Sequence, residues 1–196
     1  MFMISDYYFL IYTPITITLF KINSNISSLF FFLILSFLSV YNFIVYDKNF
    51  NINTNLLEYN YCGDLICKLS FQYFIIDGLI KKNTIDMKIH HLLLLLMIGM
   101  NFYYQMGYNI VPYLSLGEIS SIFLISKKMV SKKYYNLHNN LFIFNFFIFR
   151  ILLLPILLYN YYFYCFPNDY YLLLSIPLLF DNILHGYWSI KFIKKI

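Results

Sequence analysis

Five stretches of this chain run for roughly 18 to 22 residues with almost no charge, the length a helix needs to cross a hydrocarbon core of about 30 Å. A sixth stretch, 61–80, has the same length but is interrupted by polar residues. The chain has 196 residues, of which 61% are hydrophobic and 12% charged. A soluble core for so much apolar surface would leave large patches exposed to water. Lipid is therefore the expected solvent. With no alanine and with 22 Phe and 21 Tyr, aromatic richness alone carries little weight. The length of the apolar runs carries the argument. Spans are predicted at 28–46, 61–80, 89–107, 108–126, 141–162 and 170–190, giving an all-α integral membrane protein built as a bundle of six transmembrane helices.

Charge sets the expected orientation. If both termini are cytosolic, the inside segments hold Lys21, Lys81, Lys82, Lys88, Lys127, Lys128, Lys132, Lys133, Lys191, Lys194 and Lys195. The outside loops hold Lys48 alone, and Lys68 and Arg150 fall within spans. Such a bias is the positive-inside pattern. The apolar stretch 7–20 covers only about 21 Å as a helix and contains Pro14. It lacks a basic leader and a small-residue cleavage site, so residues 1–27 are expected to form an interfacial or re-entrant segment ahead of a membrane domain at 28–196. A seventh span results if it crosses. The sequon at Asn25 lies on the expected cytosolic side. The three cysteines, Cys62, Cys67 and Cys165, form no C-x-x-C pair and suggest neither a disulfide framework nor a zinc site.

Polar residues inside spans are costly, so they are usually paired, cavity-facing and functional. Counting about 1.5 Å per residue from each span's cytosolic end puts Glu118, Arg150 and Asp181 together at about 12–14 Å depth. Pairing between two acids and an arginine is the expectation. Asp77, His90, His91 and His185 fall within about 8 Å of the cytosolic surface by the same count and are expected to line one cavity. Asp181, His185 and Trp188 share a helical face, as do His90, Asn101 and Tyr104. Pro155 and Pro177 should kink their helices. Asp64 and Lys68, four apart, read as a structural ion pair. His138 is expected in a polar loop without a role.

The aromatic run leading to Asp77, the pair His90–His91, Glu118 with Ser120, Arg150 with Pro155 five later, and Asn182 followed by Trp188 occur here in one order. In that order the chain resembles the TLC-domain family, named for translocation-associated membrane proteins, longevity-assurance ceramide synthases and a ceroid-lipofuscinosis protein. The resemblance runs from about residue 28 to the C-terminus. It implies a compact helical domain of internal membranes such as the endoplasmic reticulum, acting on or binding lipids. In the family's ceramide synthases the paired histidines serve transfer of an acyl chain from acyl-CoA to a sphingoid base. Gly117, Ser121 and Ile125 stand where those enzymes carry histidine, aspartate and glutamate, whereas Glu118, Ser120, Leu124 and Lys128 retain the character. The chain is thus more similar to the short family members linked to membrane lipid composition.

Two functions follow from these residues. One is a protein that binds or processes a membrane lipid in a cytosol-facing cavity, with Glu118, Arg150, Asp181, Asn182, His185 and Trp188 lining or bracing it. The other is an acyltransferase in which His90 or His91 acts as base or nucleophile, Asp77 or Asp181 orients a ring, and Lys81, Lys82 and Lys88 meet the phosphates of acyl-CoA as co-substrate. No bound cofactor, metal or nucleic acid is expected, and assembly as a homo- or hetero-oligomer is left open. Four histidines are too few for a di-iron desaturase. No inverted repeat or pair of broken helices suggests a transporter.

Overall fold

A chain in lipid must satisfy its backbone polar groups internally, and helices do this within one segment. The computed structural model describes residues 4–46, 61–81, 83–104, 110–165 and 169–193, and these residues form helices and short connections with no strand. Helix α1 (Ile4–Ile22) runs through Pro14 and is followed by α2 (Ser24–Tyr46). Asn23 separates them. Its Oδ1 accepts the N–H groups of Asn25 and Ile26 at 3.0 and 3.2 Å, which caps the start of α2. Helices α3 (Tyr61–Ile80) and α4 (Ile85–Tyr104) follow, then α5 (Ile110–Ser115) and α6 (Glu118–Ser126). A 3₁₀ turn at Lys132–Tyr134 leads into α7 (Tyr135–Phe146), a π-helical segment at Phe147–Leu153, α8 (Leu154–Cys165) and α9 (Asp169–Ile193).

An apolar core is present, yet large apolar side chains also cover the outside while several polar ones are buried. On α2, Ser28, Ser36, Ser39 and Asn42 are buried while Phe30, Leu33, Phe37, Val40 and Ile44 face outward. That partition suits a helix with lipid on one side. Among the described residues, Ser24–Val45, Ile85–Tyr104 and Lys132–Tyr159 are long and apolar enough to cross a membrane. Helix α2 packs against α1, α3, α5 and α6, α4 lies between α3 and α9, and α6 lies along α7. At the centre Tyr73 stacks on Phe31 with ring centroids 4.0 Å apart. Asp64 and Lys68 pair at 3.0 Å, as their spacing predicts. Residues 47–60, expected as a polar connection, and residues 194–196 lie outside the described residues.

Two local departures from the predicted rods matter for the site. The segment expected as one span at 108–126 is divided where Leu116 N–H turns to Pro112 and Tyr113 carbonyls and Gly117 N–H bonds Leu114 O at 2.9 Å. This is 3₁₀-like tightening. A Cβ on Gly117 would meet Leu114 O at 3.0 Å, a tight contact with backbone, and would touch Arg150 Cγ at an ordinary 3.5 Å, so glycine relieves crowding within the break itself. The second departure precedes Pro155, which has no N–H for the carbonyl of Ile151 and whose ring crowds it. The chain answers with the π-helical Phe147–Leu153, and Arg150 sits at its middle. His138, expected in a loop, lies in α7 instead, with Nδ1 2.8 Å from Ser126 Oγ.

Candidate functional site

Helices α2, α3, α4, α6, α7 and α9 together enclose a cavity of about 720 Å³. Its mouth carries Lys81, Asn83, Asp86, Lys128 and Lys191, and its deeper wall carries Phe74, His90, His91, Glu118, Phe142, Phe146, Arg150 and Trp188. Most of the residues singled out in the sequence meet here. Asp181 and His185 lie behind this wall, in a small adjoining pocket that they share with His90, Glu118 and Arg150.

His90 is the best-positioned titratable group. Its Nδ1 lies 2.6 Å from Asp181 Oδ1, with both residues buried. A carboxylate only accepts, so the proton sits on Nδ1 and Nε2 is left free. Asp181 Oδ2 is also 3.2 Å from His185 Nε2, four residues on along α9. If that nitrogen donates to the carboxylate, the 3.5 Å approach of Arg150 Nη1 to it is a contact rather than a hydrogen bond. The three rings of His90, His185 and Trp188 pack edge-on, with centroids 5.1 to 5.5 Å apart.

Arg150 is held by α6. Its Nη2 is 3.2 Å from Glu118 Oε2 and 2.9 Å from Ser121 Oγ, and Nε donates to Ser120 Oγ at 3.1 Å and Gly117 O at 3.2 Å. Glu118 and Arg150 thus pair as their shared depth predicts. Asp181 does not join them; it serves the two histidines.

Asp77 lines the cavity together with His90 and His91, but its hydrogen bonds go to other groups. It accepts from Asn83 Nδ2 at 2.8 Å and Tyr73 Oη at 3.2 Å and pairs with Lys81 at 2.9 Å, while Lys81 also donates to Ser28 Oγ at 2.6 Å. His91 Nδ1 is 3.7 Å from Asp77 Oδ2, beyond hydrogen-bond range, and is buried without a hydrogen-bond partner. Asn182 takes no part in the cavity lining, and its Nδ2 donates to Leu178 O on its own helix. Trp188 Nε1 donates to Asp86 Oδ2 at 2.7 Å, joining the ends of α9 and α4. Sequence reasoning missed Asp86, Asn83, Phe142 and Phe146, and noted Ser121 only as a departure from the family pattern. Asp86 fell outside the predicted span at 89–107, and the two phenylalanines are hidden in an aromatic-rich sequence.

His90, Asp181 and His185 offer ligand atoms all within 4.8 Å of one another, a spacing that could hold a metal ion. A cation there would require both facing nitrogens to be unprotonated and would sit beside the Arg150 guanidinium. The neighbourhood favours the hydrogen-bonded triad over a metal centre.

A family model described as the TLC domain matches residues 21–194. No curated protein and no solved structure matches the chain.

Proposed function

The chain belongs to the TLC-domain family, a family of membrane proteins concerned with lipids, and on that premise we propose that it binds or processes a membrane lipid in the cavity between its helices. In this reading six spans place both termini and the mouth with Lys81, Lys128 and Lys191 on the cytosolic side of the endoplasmic reticulum or another internal membrane. The single observation that carries the reading is a cavity of about 720 Å³ whose polar mouth passes into a wall of Phe74, Phe142, Phe146 and Trp188. That gradient matches an amphiphile with its head at the mouth.

The Asp181–His90 bond favours a second reading, acyl transfer to a lipid amine or hydroxyl. Asp181 fixes the His90 tautomer and leaves Nε2 to take the proton of the attacking group or to attack the acyl carbonyl. Acyl-CoA would be the co-substrate. Asp77, tied to Lys81, Asn83 and Tyr73, braces the mouth in this scheme and orients no ring. His91 lines the wall.

Comparative lipidomics of membranes carrying the wild-type chain or the His90→Ala/His91→Ala variant tests both. Loss of one lipid class in the variant supports chemistry at the pair. An unchanged lipid profile together with stoichiometric lipid co-purification supports binding alone. Failure of the mildly extracted protein to retain any lipid, with an unchanged profile, would refute the lipid reading.

A further inference from the structure

The cavity mouth has a charge pattern of its own. Lys81 follows α3, Lys128 follows α6, and Lys191 lies in the last turn of α9, so three separate elements each bring one lysine to the same opening. Two carboxylates share the mouth, and both are already engaged. Asp77 is taken by Lys81 and Asn83, and Asp86 accepts from the Trp188 indole. Three lysines against two carboxylates leave one surplus positive charge. Deeper in, Glu118 cancels Arg150. The mouth also receives the first residues of α2 and α4, through Ser24 and Asn25 and through Asp86 and Met87. Helix N-termini carry partial positive charge, although the Asn25 and Ile26 N–H groups of α2 are already taken by Asn23 Oδ1.

We propose that the mouth is a phosphate site that holds the headgroup of one phospholipid, with Lys128 and Lys191 as its mobile contacts. The proposal rests on the lipid reading above and names the substrate class. Charge complementarity favours a lipid phosphate over a nucleotide coenzyme. One surplus charge matches a phosphate ester of one or two negative charges, and the several phosphates of a coenzyme would leave most of their charge unpaired. Lys128 and Lys191 are exposed, so they can close on a ligand without breaking the Lys81–Asp77 pair. The apolar wall below the mouth then receives the acyl chains.

Native mass spectrometry of the full chain in neutral detergent tests this, using phosphatidic acid, diacylglycerol with the same chains, and free coenzyme A as probes. Phosphatidic acid should be retained at least about tenfold more strongly than diacylglycerol, the scale of one charge-assisted hydrogen bond at the low end of its range. Lys128→Gln/Lys191→Gln should erase that preference while leaving diacylglycerol retention unchanged. The control is Lys132→Gln/Lys133→Gln, which removes two basic residues of the 3₁₀ turn that do not line the cavity. It should bind as wild type. Equal losses in the two double variants would reduce the effect to general attraction between lysines and anionic lipid, and would overturn the proposal. Displacement of phosphatidic acid by equimolar coenzyme A would overturn it in favour of a coenzyme. Equal retention of diacylglycerol and phosphatidic acid, or retention of neither, would overturn it too, while the lipid reading stands or falls by the lipidomics and co-purification above.

Discussion

Replacing Arg150 by methionine should be the most damaging single change in the membrane domain. The side chain is buried, bonds Ser120, Ser121 and the Gly117 carbonyl, and pairs with the buried Glu118 at 3.2 Å. Methionine fills similar length but leaves the Glu118 carboxylate without its counter-charge in a low-dielectric interior. Breaking a buried pair from one side costs about 3–5 kcal/mol. Glu118→Gln leaves the guanidinium three neutral acceptors on α6, so about 2 kcal/mol is expected there. The double variant removes both charges together and should be less destabilised than the sum of the singles by at least about 2 kcal/mol. Equilibrium unfolding of the four proteins in bicelles supplies the cycle. Singles that add to within about 0.5 kcal/mol of the double would refute an energetic pair between these residues.

Gly117→Ala should cost about 1–2 kcal/mol in the same assay, because the added carbon meets the fixed Leu114 carbonyl at 3.0 Å; a neutral result would mean that the break between α5 and α6 relaxes freely. Asp181→Asn should impair a lipid-processing readout as strongly as His90→Ala, and more than His91→Ala, because of the adjacent pair His90 alone has its ring fixed by a hydrogen bond to a carboxylate; equal effects of the two histidines in cellular lipidomics would contradict that assignment. A glycosylation sequon introduced into 47–60 should be modified in microsomes while Asn25 stays unmodified, and the reverse pattern would invert the proposed topology.

Helix positions were legible because long apolar runs leave the backbone few choices. The segment expected at 61–80 is α3 to the residue, and those expected at 28–46 and 170–190 lie within α2 and α9. The divided helix at Gly117 and the π-helical Phe147–Leu153 were not legible. Each is a local adjustment of the backbone hydrogen-bond pattern, which apolar periodicity does not report. Gly117 and Pro155 were visible signals, but a glycine or a proline alone does not say which way the backbone adjusts, and Gly117 meets Arg150 only in the folded bundle. The aromatic part of the cavity wall was equally hidden, since 22 Phe among 196 residues give no contrast by which Phe142 or Phe146 could stand out.

Depth counting had a narrower failure with a larger consequence. It treats helices as parallel rods and reports height, whereas pairing also depends on which faces meet. Height correctly joined Glu118 to Arg150 and brought Asp77, His90 and His91 to one cavity, yet it placed His185 in that cavity and Asp181 with the arginine. Because α9 packs along α4, Asp181 and His185 face His90 from the side, while Asp77 turns to Lys81 and Asn83 at the end of its own helix. The two layers then merge into one line of contacts, Glu118 to Arg150 at 3.2 Å, Arg150 to His185 at 3.5 Å, His185 to Asp181 at 3.2 Å and Asp181 to His90 at 2.6 Å. A change at Glu118 on α6 therefore acts on the same network that holds the His90 ring on α4. Tests of chemistry at His90 must accordingly separate loss of the reacting group from loss of the buried ion pair that braces it, and Asp181→Asn, which leaves Glu118 and Arg150 intact, makes that separation.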